Sequence, residues 1–78
     1  MTGSVFLPGA RVRARVSLGL IADGRPMEGH FHGTAERGAL GTVTDEPDNT
    51  LPGWTVVRFD DSPGMYAPVA PDHIEPAP

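Results

Sequence analysis

The imidazole ligands that this 78-residue sequence could offer a metal ion are its three histidines. His30 and His32 lie two positions apart, which places both on one face of an extended segment. His73 is distant in the sequence, and a zinc site normally needs three or four ligands. There is no cysteine, so thiolate ligands, disulfides and a cysteine nucleophile are excluded. We therefore predict no metal site and interpret the histidine pair as polar loop residues.

Asp60 and Asp61 are adjacent carboxylates, which can supply a general acid and a general base when a pocket separates their pKa values. They begin the stretch Asp60–Gly64, whose aspartate, serine, proline and glycine residues are typical of a turn. No apolar pocket around them is evident from the sequence, and no nucleophile–base pair is evident elsewhere. We therefore predict no catalytic residues and no cofactor, and we interpret the chain as a binding protein in preference to an enzyme.

Aromatic side chains supply the candidate binding residues. Large aromatic groups with a polar edge suit interfaces that are partly wet. The predicted binding residues are Trp54, Tyr66, Phe31 and His32. An alternative for Trp54 is a place in the core, because tryptophan is highly buried on average. The acidic turns Asp45–Asp48 and Asp60–Asp61 would favour a basic partner.

Charge is distributed unevenly along the chain. Residues 1–39 have a net charge of +2, from five arginines against three acidic residues. Residues 40–78 have −6, from one arginine against seven acidic residues, so the total is −4. An acidic total argues against general nucleic-acid binding, which depends on neutralising phosphates.

Three of the arginines, Arg11, Arg13 and Arg15, alternate with apolar residues and would share one face of a strand. Two interpretations of this face stay open. It is either a solvated strand surface, which is common in antiparallel sheets, or an anion-binding ridge.

Short strands must position these residues. Ala10–Leu18 alternates apolar and polar residues over nine positions, which predicts a half-buried strand. Gly19–Gly38 is too long for a simple connection, so we expect it to fold onto itself, for example as a hairpin. Gly53–Asp61 has apolar groups on both faces, which predicts a central strand. The remaining predicted strands are Ala39–Thr44, Met65–Ala70 and Ile74–Glu75. We expect a bulge or a close backbone approach at Gly41, and Pro68 marks an edge strand or the end of a strand.

These elements predict one all-β domain over residues 1–78, a small five-stranded SH3-like barrel. It would have a loose lead-in over residues 1–9, a long first loop, one 3-10 turn before the last strand and a frayed tail over residues 76–78. The predicted core residues are Val12, Val16, Leu40, Val43, Val56, Phe59, Val69 and Ile74. No apolar run approaches the roughly 18 residues of a membrane span, and we predict a cytoplasmic location.

Four motifs follow one another through most of the chain after residue 5. They are Phe6-x-Pro8-Gly9-x-Arg11-Val12-Arg13, Gly38-x-x-Gly41-Thr42-Val43, Trp54-x-Val56-Val57-Arg58-Phe59-Asp60 and His73-Ile74-Glu75-Pro76. Together they resemble the C-terminal barrel of the nitrile hydratase β-subunit and its accessory relatives. The resemblance implies an SH3-like barrel that binds a partner subunit, whose cysteines hold the metal in that family.

A second set of motifs comprises Leu51-Pro52-Gly53-Trp54-x-Val56, Pro63-Gly64 and Pro68-Val69-Ala70. It is similar to the plasmid-borne type II dihydrofolate reductases, small barrels that assemble as tetramers around a central pore. Met65 and Tyr66 stand where that family has the last two residues of its pore-lining signature. The glutamine of that signature is absent here, and Ala14 stands where the family has a lysine after Arg-Val-Arg. This resemblance implies an oligomeric, NADPH-dependent and trimethoprim-insensitive oxidoreductase.

A barrel of this size has no interior for a substrate, so its function must lie on its surface. Our prediction from the sequence is a small non-catalytic protein-binding or oligomerisation module, for example an accessory subunit of a nitrile hydratase-like enzyme. The alternative is a minimal oligomeric oxidoreductase of the type II reductase kind. The expected partner is another protein or a second copy of the chain, and neither nucleic acid nor a membrane is expected.

Overall fold

The computed structural model describes residues 6–24, 31–45 and 53–78, and these residues form an all-β structure. The strands are β1 (Arg11–Ala14), β2 (Leu18–Ala22), β3 (Gly33–Ala35), β4 (Leu40–Val43), β5 (Thr55–Phe59), β6 (Met65–Val69) and β7 (Ile74–Pro76). One 3-10 turn, Pro71–His73, precedes β7. The all-β class and the turn before the last strand are therefore confirmed. The described residues include no helix long and apolar enough to cross a membrane.

The strands form one curled antiparallel sheet, a half-barrel, in the order β3-β2-β6-β5-β4-β1-β7. The sequence predicted five strands and the described residues form seven, so the five-strand count is not confirmed. The two additional strands, β2 and β3, lie largely in the segment that was expected to be a long first loop. They pair as an antiparallel hairpin in which Leu18 lies opposite Ala35 and Leu20 opposite Gly33. The segment therefore does fold onto itself, while His30 lies outside the described residues.

The predicted strand Ala10–Leu18 is interrupted after Ala14, which corrects the nine-residue assignment. β1 pairs with β4 and β7, whereas β2 pairs with β3 and β6, so the chain changes partners between Ala14 and Leu18. Val16 lies in the bend between the two strands and is 43% exposed, so its assignment to the core is wrong. Apolar residues continue to alternate through the bend, so the pattern of residue types does not show where the chain changes its strand partners.

Leu40 was also predicted for the core, and it is 42% exposed. It lies opposite Arg13, whose side chain reaches outward to Glu75, and directly opposed residues point to the same face of a sheet. The inward positions of β4 are taken by Gly41 and Val43. Because the glycine occupies an inward position, the neighbouring leucine is directed outward.

β5 is the central strand of the sheet, as its two apolar faces predicted. Val57 and Phe59 belong to the interior cluster, and Val56 is buried on the opposite face. Gly41 lies opposite Phe59, and a Cβ at Gly41 would lie 2.8 Å from the Arg58 carbonyl oxygen and 2.9 Å from Val57 Cγ1. The close backbone approach predicted at Gly41 is therefore confirmed.

Pro68 was expected to mark an edge strand or the end of a strand. β6 is not an edge strand, because it lies between β2 and β5, but Pro68 is its penultimate residue. β6 pairs with β2 only at Ile21–Tyr66 and Ala22–Met65. Pro68 lies beyond these paired positions, so no hydrogen bond from residue 68 to β2 is required. The missing N–H of proline is therefore tolerated at this position. An interior strand can therefore hold a proline.

The core fills the concave side of the sheet. Six of the eight predicted core residues are buried, namely Val12, Val43, Val56, Phe59, Val69 and Ile74. The interior cluster also contains residues that were not predicted for it, namely Ala14, Leu18, Leu20, Ala35, Val57 and Ala67. Phe6 packs against this cluster, and the Ala77 N–H donates to the Arg11 carbonyl at 3.0 Å. Residue 6 and residue 77 are thus both attached to the sheet.

Candidate binding face

The outer face of the sheet carries a strip of apolar and aromatic side chains across β2, β6 and β5. Ile21 lies opposite Tyr66, and Val56 lies opposite Pro68. Each of these four residues has a sequence neighbour in the interior cluster, so alternation directs all four to the outer side. Ile21 and Val56 are buried, whereas Tyr66 and Pro68 are partly exposed. With Phe31, these four residues form what we call the aromatic face.

Phe31 covers the β2 end of this face. Its ring occupies the space that a Cβ at Gly19 would need. Gly19 and Ile21 lie two positions apart on β2, so they share the outer side of the strand. Phe31 is nevertheless 58% exposed. An aromatic ring is thus seated on the sheet while most of its surface faces solvent.

His32 attaches the segment that carries Phe31 to β2. Its backbone N–H donates to the Leu20 carbonyl at 2.8 Å, and its Nδ1 accepts a hydrogen bond from the Ala22 N–H at 3.0 Å. The accepting Nδ1 carries no proton, so the ring is held in one tautomer. His32 was predicted as a binding residue, and the structure places it beside the aromatic face, where it positions Phe31.

Arg58 borders the aromatic face next to Tyr66. Its guanidinium donates two hydrogen bonds to the Asp23 carboxylate, at 2.9 and 3.0 Å, and one to the Met65 carbonyl at 3.3 Å. The guanidinium carbon lies 6.0 Å from the centre of the Tyr66 ring, at the outer limit of a cation–π contact. The arginine also holds the pKa of Asp23 below its ordinary range. This ion pair connects the end of β2 to β5 and fixes one border of the face.

Trp54 lies at the other end of β5. Its ring meets that of His73 edge-on, with centroids 5.4 Å apart and planes at 86°. His73 is itself fixed, because its Nδ1 accepts from the Ala70 N–H at 3.1 Å. Trp54 is half-buried and lies outside the interior cluster. It is four positions from Arg58, a distance of roughly 13 Å along extended chain. The structure therefore brings Phe31 and Tyr66 together around β2 and places Trp54 apart from them.

The arginines of the first strand meet carboxylates of the acidic half of the chain. Arg11 donates two hydrogen bonds to Asp60, at 2.6 and 2.9 Å, and lowers the pKa of that carboxyl. Arg13 pairs with Glu75 at 2.7 Å, and Arg15 lies 3.8 Å from the same carboxylate. The charge asymmetry of the sequence is thus partly compensated between strands.

Groups suited to catalysis are not brought together among the described residues. No cluster of three or more histidine and acidic side chains suited to a metal ion occurs in residues 6–24, 31–45 and 53–78. Asp60 is held by Arg11, in the turn where the sequence placed it. The described geometry presents a partly exposed apolar and aromatic surface bordered by charges.

No protein-family model matches this chain, and no significant match to it is found among curated proteins or solved structures. The resemblances to the nitrile hydratase β-subunit barrel and to type II dihydrofolate reductase therefore stay predictions.

Sequence reasoning identified Phe31, Tyr66 and Trp54 by residue type but missed Gly19, Ile21 and Pro68. The apolar pair Leu20-Ile21 was the available signal, because adjacent apolar residues in a strand face opposite sides and indicate that both sides are covered.

Proposed function

We propose that this protein is a non-catalytic protein-binding module on an SH3-like barrel, and that its aromatic face docks a segment of a partner protein. The 3-10 turn before β7 and the β2–β3 hairpin after β1 support the barrel assignment. The observation that carries the functional proposal is Phe31, an aromatic residue that is held on the sheet and yet 58% exposed. Its exposed surface is available for a partner to bury.

Burial of this ring would contribute usefully to binding. Complete burial of a phenylalanine side chain is worth about 1.5–3 kcal/mol, and Phe31 has more than half of its surface left to bury. The ring is already positioned by Gly19 and by the two hydrogen bonds of His32 to β2. A positioned side chain loses little conformational entropy on binding, so more of the burial energy is expressed as affinity. Phe31 therefore has the properties of an interface anchor.

Charge favours a basic partner over a second copy of this chain. The chain has a net charge of −4, so two copies repel each other. Asp45 and Asp61 are exposed and make no ion pair with any residue in the described ranges. Acidic side chains without a compensating partner attract a positively charged segment and raise the rate of association. The partner that fits is a protein segment with an apolar or proline-containing centre and flanking lysines or arginines.

Partner capture followed by an affinity measurement tests this proposal. The tagged protein is used to retain its partner from the cells that produce it, and the identified partner is then purified and titrated by calorimetry. Phe31→Ala should weaken binding about tenfold or more, as expected for an aromatic anchor. Binding should also weaken as the salt concentration rises, because the attraction between exposed charges is screened.

Leu7→Ala is the matched control, because Leu7 is 69% exposed and lies outside the aromatic face. This variant should bind within about twofold of the wild type, as most surface substitutions away from an interface do. Equal losses for Phe31→Ala and Leu7→Ala would contradict the proposal. A mass that rises to that of a dimer with concentration, without any heterologous partner, would contradict the choice of a basic partner over a second copy.

A further inference from the structure

A cleft of about 420 Å³ lies on the β1 side of the sheet, away from the aromatic face. It is lined by Arg13 and Arg15, by Arg37 from the turn before β4, and by Glu75 of β7, with Ala14 and Gly38 completing the wall. We call this the arginine cleft. Three arginines and one glutamate therefore line one cleft in a protein whose net charge is −4.

The other described arginines are neutralised one to one. Arg11 makes two hydrogen bonds to Asp60, and Arg58 makes two to Asp23. In the arginine cleft, by contrast, Arg13 and Arg15 share Glu75, and Arg37 makes no ion pair with any residue of the described chain. The cleft thus has an excess charge of +2 from its own side chains.

The backbone around the cleft is fixed. The Gly38 N–H donates to the Ala14 carbonyl at 2.8 Å, and the Ala14 N–H donates to the Ala39 carbonyl at 2.9 Å. Arg37 stands in a turn that is closed by a hydrogen bond from Ala39 N–H to the Glu36 carbonyl at 3.0 Å. Gly38 has a φ of +94°, which favours glycine and keeps the turn narrow. The guanidinium of Arg37 is therefore presented from a defined backbone.

An apolar pocket of about 340 Å³ adjoins the cleft and shares Arg15 and Glu75 with it. Its apolar lining comes from Phe6, Pro71, Ile74 and Pro76, and Asp72 also contributes to it. A ligand with its charged group among the arginines could place a hydrocarbon part in this pocket.

We propose that the arginine cleft binds the oxyanion group of a small organic phosphate or carboxylate, and that the adjoining pocket takes the apolar part of the same molecule. Guanidinium groups form paired, charge-assisted hydrogen bonds with these planar or tetrahedral oxyanions. The acidic total charge of the chain opposes binding of a polyanion such as a nucleic acid. The site is separate from the aromatic face and does not depend on the proposed function.

The test is a titration of the full chain, at low salt, followed by NMR through the backbone amides of Ala14 and Gly38. The probes are inorganic phosphate, phenyl phosphate and benzyl alcohol, which represent the charged group alone, both parts and the apolar part alone. Phenyl phosphate should bind about tenfold more tightly than inorganic phosphate, since burial of most of the ring adds about that much affinity. Benzyl alcohol should give no saturable shift of these amides.

Arg37→Gln should weaken phenyl phosphate binding about tenfold, because one charge-assisted hydrogen-bonding group is lost. Arg37 is exposed on a turn, so this variant keeps the fold. Arg11→Gln removes the same charge outside the cleft and should leave the affinity within about twofold. The oxyanion site would be overturned if neither inorganic phosphate nor phenyl phosphate gave a saturable shift of these amides. It would also be overturned if Arg37→Gln and Arg11→Gln weakened phenyl phosphate binding equally. Equal affinity for the two phosphates would overturn the apolar part of the assignment.

Discussion

The ring of Phe31 occupies the position that a Cβ on Gly19 would take, so a glycine of β2 forms the seat of an exposed aromatic side chain. The contact joins Gly19, in the first strand of the hairpin, to Phe31, which lies two residues before the second strand. It keeps the ring on the outer side of the sheet, next to the strand that also carries Ile21. The main binding proposal depends on this contact.

The first prediction concerns the coupling between Gly19 and Phe31. Gly19→Ala should destabilise the protein by about 1–2 kcal/mol, since the methyl group must displace the ring. In a Phe31→Ala background the same substitution should be neutral or stabilising by up to about 1 kcal/mol, because alanine suits a strand better than glycine. Urea unfolding of the two single variants and the double variant measures the coupling. Equal effects of Gly19→Ala in both backgrounds would show that the ring does not use this seat.

A second prediction concerns the close approach of β4 and β5. Gly41→Ala should cost about 1–3 kcal/mol in the free energy of unfolding, because the new Cβ would meet the backbone carbonyl of Arg58. Gly33→Ala is the matched control, since its nearest neighbour would be the flexible Met65 side chain, at 3.0 Å from sulfur. The control should cost less than about 1 kcal/mol. A larger loss for Gly33→Ala than for Gly41→Ala in urea unfolding would be incompatible with this packing.

Two valines of the predicted first strand give a third prediction. Val12 is fully buried in the interior cluster, and Val16 is 43% exposed in the bend after β1. Val12→Ala should lower the free energy of unfolding by about 2 kcal/mol, through lost burial and a cavity. Val16→Ala should change it by less than about 0.5 kcal/mol. If thermal or urea unfolding gave equal losses, the strand would continue through Val16 and the bend would be wrong.

The fourth prediction concerns acid titration. Hydrogen bonds from Arg58 and from Arg11 lower the pKa values of Asp23 and Asp60 from the ordinary 3.8. Since each carboxyl binds protons less tightly in the folded state, its stabilising effect is complete above the unfolded pKa. The effect is lost as the pH falls through the folded pKa. Both pairs are exposed, so the change in stability should be small.

NMR of the aspartate carboxyl carbons during acidification measures both groups. Arg58→Gln should raise the pKa of Asp23 towards 3.8 and leave that of Asp60 where it is, and Arg11→Gln should do the reverse. The two variants therefore serve as controls for each other. A shift of both carboxyls by either variant would indicate a general charge effect instead of two separate pairs.

Local alternation was sufficient to predict the all-β class and the central strand, because Val56 and Val57 are both apolar and both buried. It failed at Val16, where the alternation of apolar residues continues although the backbone bends between β1, which pairs with β4, and β2, which pairs with β6. It failed at Leu40 because the inward position beside it is taken by a glycine, which residue hydrophobicity does not reveal. Whether Val16 and Leu40 are buried or exposed therefore depends on strand pairing and register, which residue composition does not determine.

The candidate binding face was predictable only by residue type. Phe31 and Tyr66 are recognisable as large aromatic residues, but their proximity depends on the pairing of β2 with β6. The arginine cleft has the same origin, since Arg37 and Glu75 meet only because β1 pairs with both β4 and β7. Such long-range pairings leave no short-range pattern in the sequence.

The most direct measurement of the central claim is site-specific photo-crosslinking at Phe31. p-Benzoylphenylalanine at position 31 keeps an aromatic ring at the proposed anchor and captures whatever lies against it on irradiation in the producing cells. The same group at position 7 is the control, because Leu7 is 69% exposed outside the aromatic face. We predict one discrete cross-linked partner protein from position 31 and none from position 7. Identical products from both positions, or only a cross-linked dimer of this chain, would contradict the account.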